Sequence, residues 1–109
     1  MIVTEKNVSD ALAYLADDPH PIAKARYELS VAENEAKEIF ARIFLSESGS
    51  VEARKAVAET CDNYIEAKAT EAAAEMELER HKARVKAAEN IISVWQSENA
   101  NARAAERVR

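Results

Sequence analysis

The sequence is short of the residues that build turns and ligand sites: its 109 residues include one glycine, two prolines, one cysteine and two histidines. One glycine excludes a glycine-rich phosphate-binding loop, and one cysteine with two histidines excludes the common zinc-site patterns. No segment provides the sharp turn on which a hydrolase serine sits. These absences argue against an enzyme, and we expect neither a cofactor nor a bound metal ion.

Two further absences concern the cellular compartment. Cys61 is the only cysteine, so no intrachain disulfide can form, which is typical of a reducing environment. The N-terminus lacks a basic region followed by an apolar run, and no stretch approaches the ~20 apolar residues of a membrane span. We therefore expect a soluble, cytoplasmic protein with no membrane partner.

The sequence is rich in alanine and in charged residues. Alanine fills 23 positions, charged residues make up 32 % of the chain and aromatic residues 6 %. With almost no glycine, this composition predicts an all-α fold. Because large apolar side chains are few, the core of one chain is thin, and burial against a second copy would remedy this. The net charge of −5 argues against strong non-specific binding to nucleic acid.

A seven-residue repeat runs along two long stretches of the chain. In the first stretch its positions are Ile22, Ala25, Leu29, Ala32, Ala36, Ile39, Ile43 and Ser46. In the second they are Tyr64, Ala67, Glu71, Ala74, Leu78, His81, Val85, Ala88, Ile92 and Trp95. A sustained repeat of seven places a stripe along a helix that packs against another helix. The sequence therefore predicts an antiparallel long helical hairpin with a coiled-coil-like, alanine-rich seam.

Turn and capping signals divide residues 1–109, a single predicted domain, into helices. We predict a frayed start over 1–6, helices over about 8–17, 19–47, 51–59 and 63–99, and a frayed basic tail over 100–109. Ser48-Gly49-Ser50 is the clearest turn, because Gly49 can adopt a left-handed conformation and Ser50 can cap the next helix. The short connection makes the two long helices antiparallel.

The last helix is longer than its predicted partner, which leaves part of its stripe uncovered. We expect the short first helix to cover this part with Leu12 and Leu15, and a second subunit to cover it as well. The residues predicted to form this oligomer or partner interface are Val85, Ala88, Ile92, Trp95, Leu12 and Leu15. The sequence thus predicts a homodimer or a higher homo-oligomer. Trp95 either anchors the seam or lies on the surface as an interface hot spot or base-stacking platform.

Two polar residues occupy seam positions. His81 follows Glu77 by one turn, but a di-metal site in a helical bundle needs a Glu-x-x-His motif and more glutamates from facing helices. A polar group in such a stripe more often fixes register or oligomeric state, and this is our interpretation of His81 and Glu71. We expect Glu71 to pair with Lys37 or Arg42 of the opposite helix.

Two basic segments are candidates for nucleic-acid contact. They comprise Arg80, Lys82, Arg84 and Lys86, and, in the tail, Arg103, Arg107 and Arg109. On a helix the first four lie on different sides, so they form no single patch within one chain. A basic tail can fold onto phosphate, and the tail is therefore the stronger candidate for contact with single-stranded DNA.

Three segments carry a resemblance to known proteins. They are Ala11-Leu12-Ala13-Tyr14-Leu15-Ala16, Ser48-Gly49-Ser50-Val51-Glu52-Ala53-Arg54 and Ile92-Ser93-Val94-Trp95-Gln96-Ser97-Glu98-Asn99-Ala100-Asn101. Together they resemble a group of small helical proteins of tailed phages and prophages, encoded near genes for single-strand annealing recombination. The resemblance covers most of the chain but brings no catalytic residue and no established activity. It implies an accessory protein of phage DNA metabolism in the host cytoplasm.

These observations lead to one functional expectation and two alternatives. We expect a non-enzymatic protein-interaction module, a phage recombination accessory that docks on a recombinase, a nuclease or a single-strand-binding protein. The acidic balance favours such a protein partner over direct DNA binding. One alternative is a protein that binds single-stranded DNA directly through its basic C-terminal tail. The other is a structural or assembly protein of a virion.

Overall fold

The protein is all-α in the computed structural model, which describes residues 2–108, with side chains described as far as residue 107. Its helices are α1 (Glu5–Leu15), α2 (Pro21–Ser46), α3 (Val51–Thr60) and α4 (Asp62–Val108), and the described part of the chain contains no strand. None of the helices over residues 2–108 combines the length and the apolar character needed to cross a membrane. The all-α prediction is confirmed.

Helix α1 begins earlier than the sequence analysis predicts. Thr4 caps it: the Thr4 hydroxyl accepts a hydrogen bond from the Asn7 N–H, and the Asn7 side chain accepts one from the Thr4 N–H, each 3.1 Å long. This reciprocal arrangement is a capping box. Val3 is buried, and its N–H donates to Glu98 Oε2 at 3.4 Å. The prediction of a frayed start is therefore wrong for residues 3–6.

The turn between α2 and α3 has the predicted chemistry. Gly49 has a φ of 112°, which residues with a Cβ rarely adopt. Ser50 caps α3 by accepting a hydrogen bond from the Ala53 N–H. Arg54 also secures the turn, because its Nε donates to the Phe44 carbonyl oxygen at 3.0 Å near the end of α2. Both turn predictions are confirmed.

Helix α4 is one uninterrupted helix of 47 residues. Cys61 alone separates it from α3, so the predicted break between the helices over 51–59 and 63–99 lies in the right place, within one residue at each side. The helix continues through residues 100–108, where the sequence analysis predicts a frayed tail, and that prediction is wrong. The physical reason is composition: this segment has four alanines and no glycine or proline, and alanine has the highest helix propensity.

The chain forms two compact units, one of which is Ile22–Glu79. Within this unit α2 runs antiparallel to the first part of α4. Phe40 of α2 meets Tyr64 of α4 edge to face, with ring centroids 5.4 Å apart. Glu33, which lies earlier on α2, lines the same groove as Glu71, which lies later on α4. These pairings confirm the predicted antiparallel hairpin.

The other unit takes its described residues from 2–21 and 80–108. Within it α1 runs antiparallel to the second part of α4. Near its start, Val3 contacts Glu98; near its end, the Tyr14 hydroxyl lies 3.0 Å from Nδ1 of His81. The short first helix therefore covers the later part of the α4 stripe, as the sequence predicts.

The predicted seam is buried along most of its length. All ten predicted positions on α4 are buried or half-buried, and so are seven of the eight on α2. The exception, Ser46, is exposed because it is the last residue of its helix. The buried hydrophobic residues are Val3, Val8, Ala11, Ala25, Ala32, Ala36, Ala58, Leu78 and Ala88. Six of these nine are alanines, so the helices pack at close range around small side chains.

Replacing a seam alanine with leucine tests this close packing. Ala36 is only 3 % exposed, so Ala36→Leu has no room for the larger side chain, and we expect it to lower the free energy of unfolding by about 1–3 kcal/mol. The matched control is Ala23→Leu, on the exposed side of the same helix, which should change stability by less than about 0.5 kcal/mol. Urea unfolding followed by circular dichroism measures both. Equal stability of the two variants would contradict a tightly packed seam.

Candidate functional site

Tyr14 of α1 is the centre of the most polar contact in the seam. Its hydroxyl lies 3.0 Å from Nδ1 of His81 and 3.5 Å from the His81 carbonyl oxygen, to which it can donate. The tautomer of His81 decides which of the two groups donates in the shorter contact. This bond crosses from α1 to α4 and supplies the partner that a half-buried polar seam residue requires.

Two more side chains contact the Tyr14 ring. His20 meets it edge-on with centroids 4.9 Å apart, and the Arg84 guanidinium lies 4.2 Å above its centre. We call Tyr14, His20, His81 and Arg84 the Tyr14 cluster. It contains both histidines of the chain and one member of the first basic segment.

The sequence analysis identified His81 as a polar seam residue but missed its partner. A usable signal existed: a polar seam position on α4 needs a polar group from the helix that covers it, and Tyr14 is the only aromatic residue of α1. The contacts of the Tyr14 cluster join α1 to α4 and fix their alignment. Groups of three or more His, Cys, Asp or Glu side chains that could hold a metal ion do not occur among residues 2–108.

The face that α1 presents to α4 differs from the predicted one. Val8 and Ala11 are buried and Leu15 is half-buried, whereas Leu12 is 52 % exposed. Leu12 is therefore more exposed than predicted, and the assignment of Leu12 and Leu15 to an oligomer or partner interface stays a prediction. The inward stripe of the helix runs through positions 8, 11 and 15, and Leu12 lies at the edge of that stripe.

The other predicted interface residues lie along α4. Ala88 is buried within the chain, and the groove beside it is lined by Ala11 and Tyr14 of α1. Val85, Ile92 and Trp95 are half-buried. Their assignment to an oligomer interface stays a prediction. Ala88 already has its partner in α1 and is not available to a second subunit in this fold.

Trp95 lies on a surface that is formed by residues of α4 only. A groove of about 490 Å³ follows one side of this helix and is lined by Trp95, Gln96, Asn99, Ala102, Arg103 and Glu106. We call these six residues the Trp95 face. The sequence analysis named Trp95 and Arg103 from it, but for different reasons.

The basic residues are exposed but do not form one surface. Arg80, Lys82, Arg84 and Lys86 all lie at exposed positions of α4. Arg84 is turned onto the Tyr14 ring. Arg103 and Arg107 are one helical turn apart on the described part of the tail, and Arg109 lies outside the described residues. Contact of these residues with nucleic acid stays a prediction.

Glu71 pairs along its own helix rather than across the seam. Its Oε2 forms an ion pair with Nζ of Lys68, three residues earlier. This hydrogen-bonded carboxylate raises the pKa of Lys68 above its ordinary value of 10.5. Lys37 lines the same groove, and Arg42 pairs with Glu38 at 2.9 Å. The predicted pairing with Lys37 or Arg42 is wrong, because a lysine one turn away on the same helix is within easier reach.

Removing the Tyr14 hydroxyl tests whether this contact holds α1 in place. We expect Tyr14→Phe to lower the free energy of unfolding by about 1 kcal/mol, because His81 loses a hydrogen bond while the ring contacts remain. The matched control is Tyr27→Phe, since Tyr27 is 70 % exposed. Urea unfolding measures the difference between the two variants. Identical midpoints would mean that the hydroxyl contributes nothing to the alignment of the helices.

Comparison with known proteins provides no relative from which a function can be carried over. No family model, curated protein or solved structure that was compared with the chain matches it. A functional conclusion for this protein therefore depends on features of the chain itself: the alanine-rich seam, the Tyr14 cluster and the Trp95 face.

Proposed function

We propose that this protein is a non-enzymatic protein-interaction module that acts as a homo-oligomer. The observation that carries the proposal is the composition of the buried set, in which six of nine residues are alanine and none of the large side chains is fully buried. Burying a leucine or isoleucine contributes about 1.5–3 kcal/mol, whereas an alanine contributes much less. Such a seam gives one chain little stabilisation, and a second copy would add what is missing.

Exposed apolar surface supports the same proposal. Leu45 and Met76 are 76 % and 70 % exposed. Leu45 shares one groove with Phe40 and Phe44, and a contiguous apolar groove of this kind is typical of sites that bind another protein.

The Ile22–Glu79 unit offers a surface for a protein partner. A groove of about 510 Å³ is lined by Phe40, Ala41, Phe44, Leu45, Val51 and Lys55. Phe44, which forms part of the groove wall, is held in position by Arg54. The Arg54 guanidinium lies 4.2 Å from the centre of the Phe44 ring, and Arg54 also donates a hydrogen bond to the Phe44 carbonyl oxygen. A preformed apolar groove with a basic residue at its edge suits an amphipathic helix of a partner.

The resemblance to phage proteins supports a context for this module. On that basis the partner is a recombinase, a nuclease or a single-strand-binding protein of phage DNA recombination. The net charge of −5 favours contact with such a protein over contact with the nucleic acid itself.

Direct binding of single-stranded DNA is the second candidate, and one observation favours it. Trp95, Asn99 and Arg103 follow one another at turn intervals on the same face of α4, which combines a ring for base stacking with a cation for phosphate. The charge of the segment gives this candidate little support, because residues 96–109 contain two glutamates and three arginines, a net charge of only +1.

Oligomeric state tests the interaction-module proposal. We expect sedimentation equilibrium to give a mass at least twice 12.1 kDa, and Trp95→Ala to shift the equilibrium towards monomer, because it removes the largest side chain of the Trp95 face. The control is Tyr27→Ala, which truncates an exposed aromatic side chain on the other unit. A folded wild-type protein that stays monomeric at all concentrations would refute the proposal.

Salt-dependent DNA binding tests the second candidate. If the arginines contact phosphates, the Arg103→Ala/Arg107→Ala variant should bind single-stranded oligonucleotides more weakly and lower the slope of log affinity against log salt by about 1.4, since each contact contributes roughly 0.7. Fluorescence anisotropy at about 50 and 200 mM salt measures this slope. The control is Lys24→Ala/Arg26→Ala, which removes two exposed charges from α2. Absence of wild-type binding at both salt concentrations would eliminate the candidate.

A further inference from the structure

We propose that two copies of this protein pair in parallel and in register through the Trp95 face. The inference rests on the proposed self-association. It specifies which surface pairs, the relative direction of the two helices, and the residues that determine this surface and direction. It assigns a second copy of this chain as the occupant of the groove along Trp95, Asn99 and Ala102.

The Trp95 face is the part of the seam that α1 does not cover. Val3, at the start of α1, contacts α4 at Glu98, and the groove of the Trp95 face is lined by α4 residues alone. Beyond this contact α4 continues as a regular helix to Val108. Residues 100–107 are all exposed.

The seven-residue repeat nevertheless continues into this segment. Counting seven onward from Ile92 gives Asn99 and then Glu106, and counting seven onward from Trp95 gives Ala102. In heptad notation Ile92, Asn99 and Glu106 are a positions and Trp95 and Ala102 are d positions. Four of the six residues that line the groove are therefore a or d positions of a coiled coil whose second strand α4 lacks, and the other two, Gln96 and Arg103, are the flanking e positions.

Asn99 indicates how the second strand runs. A single asparagine at an a position favours two-stranded, parallel and in-register pairing, because the two copies meet at the same level and hydrogen-bond to each other. Asn99 is half-buried on α4 and lies between Trp95 and Ala102 in the groove. Sliding one copy by a heptad places one of the two Asn99 amides against Ile92, where it is left unsatisfied.

Charge complementarity gives the same direction. Glu98 is at a g position and Arg103 at the following e position, five residues later. In a parallel dimer each g residue meets the e residue of the next heptad on the partner. Glu98 of each copy, whose Oε2 also accepts from the Val3 N–H of its own chain, therefore meets Arg103 of the other. An antiparallel arrangement instead brings g residues near g residues and e residues near e residues, which places like charges together. The parallel dimer gains two ion pairs by symmetry.

Glu106 sets the far limit of the paired segment. As an a residue it meets its own copy in the parallel register, and two carboxylates at that distance repel each other. The tightest pairing therefore lies over Trp95, Asn99 and Ala102. Substitution of Glu106 by an uncharged residue should extend the pairing and strengthen the dimer.

Single-cysteine variants test the direction and register of pairing. In a Cys61→Ser background, Ala102→Cys and Glu106→Cys each place the new thiols opposite their own copies in the parallel dimer, within the Cα separation of about 4.4–6.8 Å that a disulfide requires. We expect both variants to form disulfide-linked dimers on mild oxidation. Ala104→Cys is the matched control: it also replaces an alanine of α4, but on the opposite side of the helix, and should remain largely monomeric on non-reducing gels.

Charge reversal tests the proposed ion pairs in the uncross-linked protein. Arg103→Glu should raise the dimer Kd by about tenfold, since it turns two attractive contacts into repulsive ones. Glu98→Arg/Arg103→Glu should restore much of the affinity. The control is Arg107→Glu, which makes the same charge change outside the Trp95 face and should leave the Kd within about twofold. Sedimentation equilibrium measures each Kd.

The outcomes separate this inference from the proposed function. A wild-type protein that is only monomeric overturns both. A dimer that is cross-linked at position 102 but not at 106 is antiparallel, and it overturns the inference while leaving self-association standing. A dimer that is cross-linked at neither position, or as efficiently at 104 as at 102, uses another surface and overturns the inference in the same way. Cross-linking at 102 and 106 alone, with rescue by the double charge reversal, supports it.

Discussion

Both helix pairs of this protein depend on the close approach that the seam of α4 permits. Alanines occupy the tightest positions of the seam, as in Ala36 on α2 and Ala88 on α4, which are 3 % and 5 % exposed. Small side chains let two backbones come near each other, but each contact buries little apolar area, and burial contributes only about 25 cal/mol per Å². The same feature that aligns the helices therefore limits the stability of a single chain, and the proposed self-association is based on this limit.

The polar residues of the seam show two ways of satisfying a half-buried group. His81 is satisfied across the seam by the Tyr14 hydroxyl at 3.0 Å, so it fixes the alignment of α1 with α4. Glu71 is satisfied along its own helix by Lys68 and therefore does not select a partner on α2. Only the Tyr14–His81 contact specifies which residues of two helices face each other. It lies at the end of α1, the last point at which α1 packs against α4.

Periodicity made the fold predictable and left the local contacts unpredictable. A repeat of seven identifies which residues of α2 and α4 face a partner, because that property follows from helix geometry alone. The covering face of α1 was missed at Leu12, because a helix of 11 residues has too few turns to show its period and its start at Thr4 depends on a side-chain cap. The pairing of Glu71 was missed for a similar reason, since the choice between two nearby lysines depends on side-chain conformation rather than on spacing. The tail was missed because the arginines suggested disorder, whereas its alanines decide the helix.

The a and d positions of a heptad repeat bury their side chains only against a second helix. The heptad pattern at the end of α4 therefore distinguishes this segment from an ordinary exposed helix. A solvated face would have no reason to keep Trp95 and Ala102 at d positions with Asn99 between them at an a position. If the second strand is another copy, every site on the chain is present twice in the assembly, including the groove beside Phe40. The proposed interaction module would then offer two equivalent sites to a partner that is itself repeated. Avidity of this kind raises affinity by about 10²–10⁴ without any new contact.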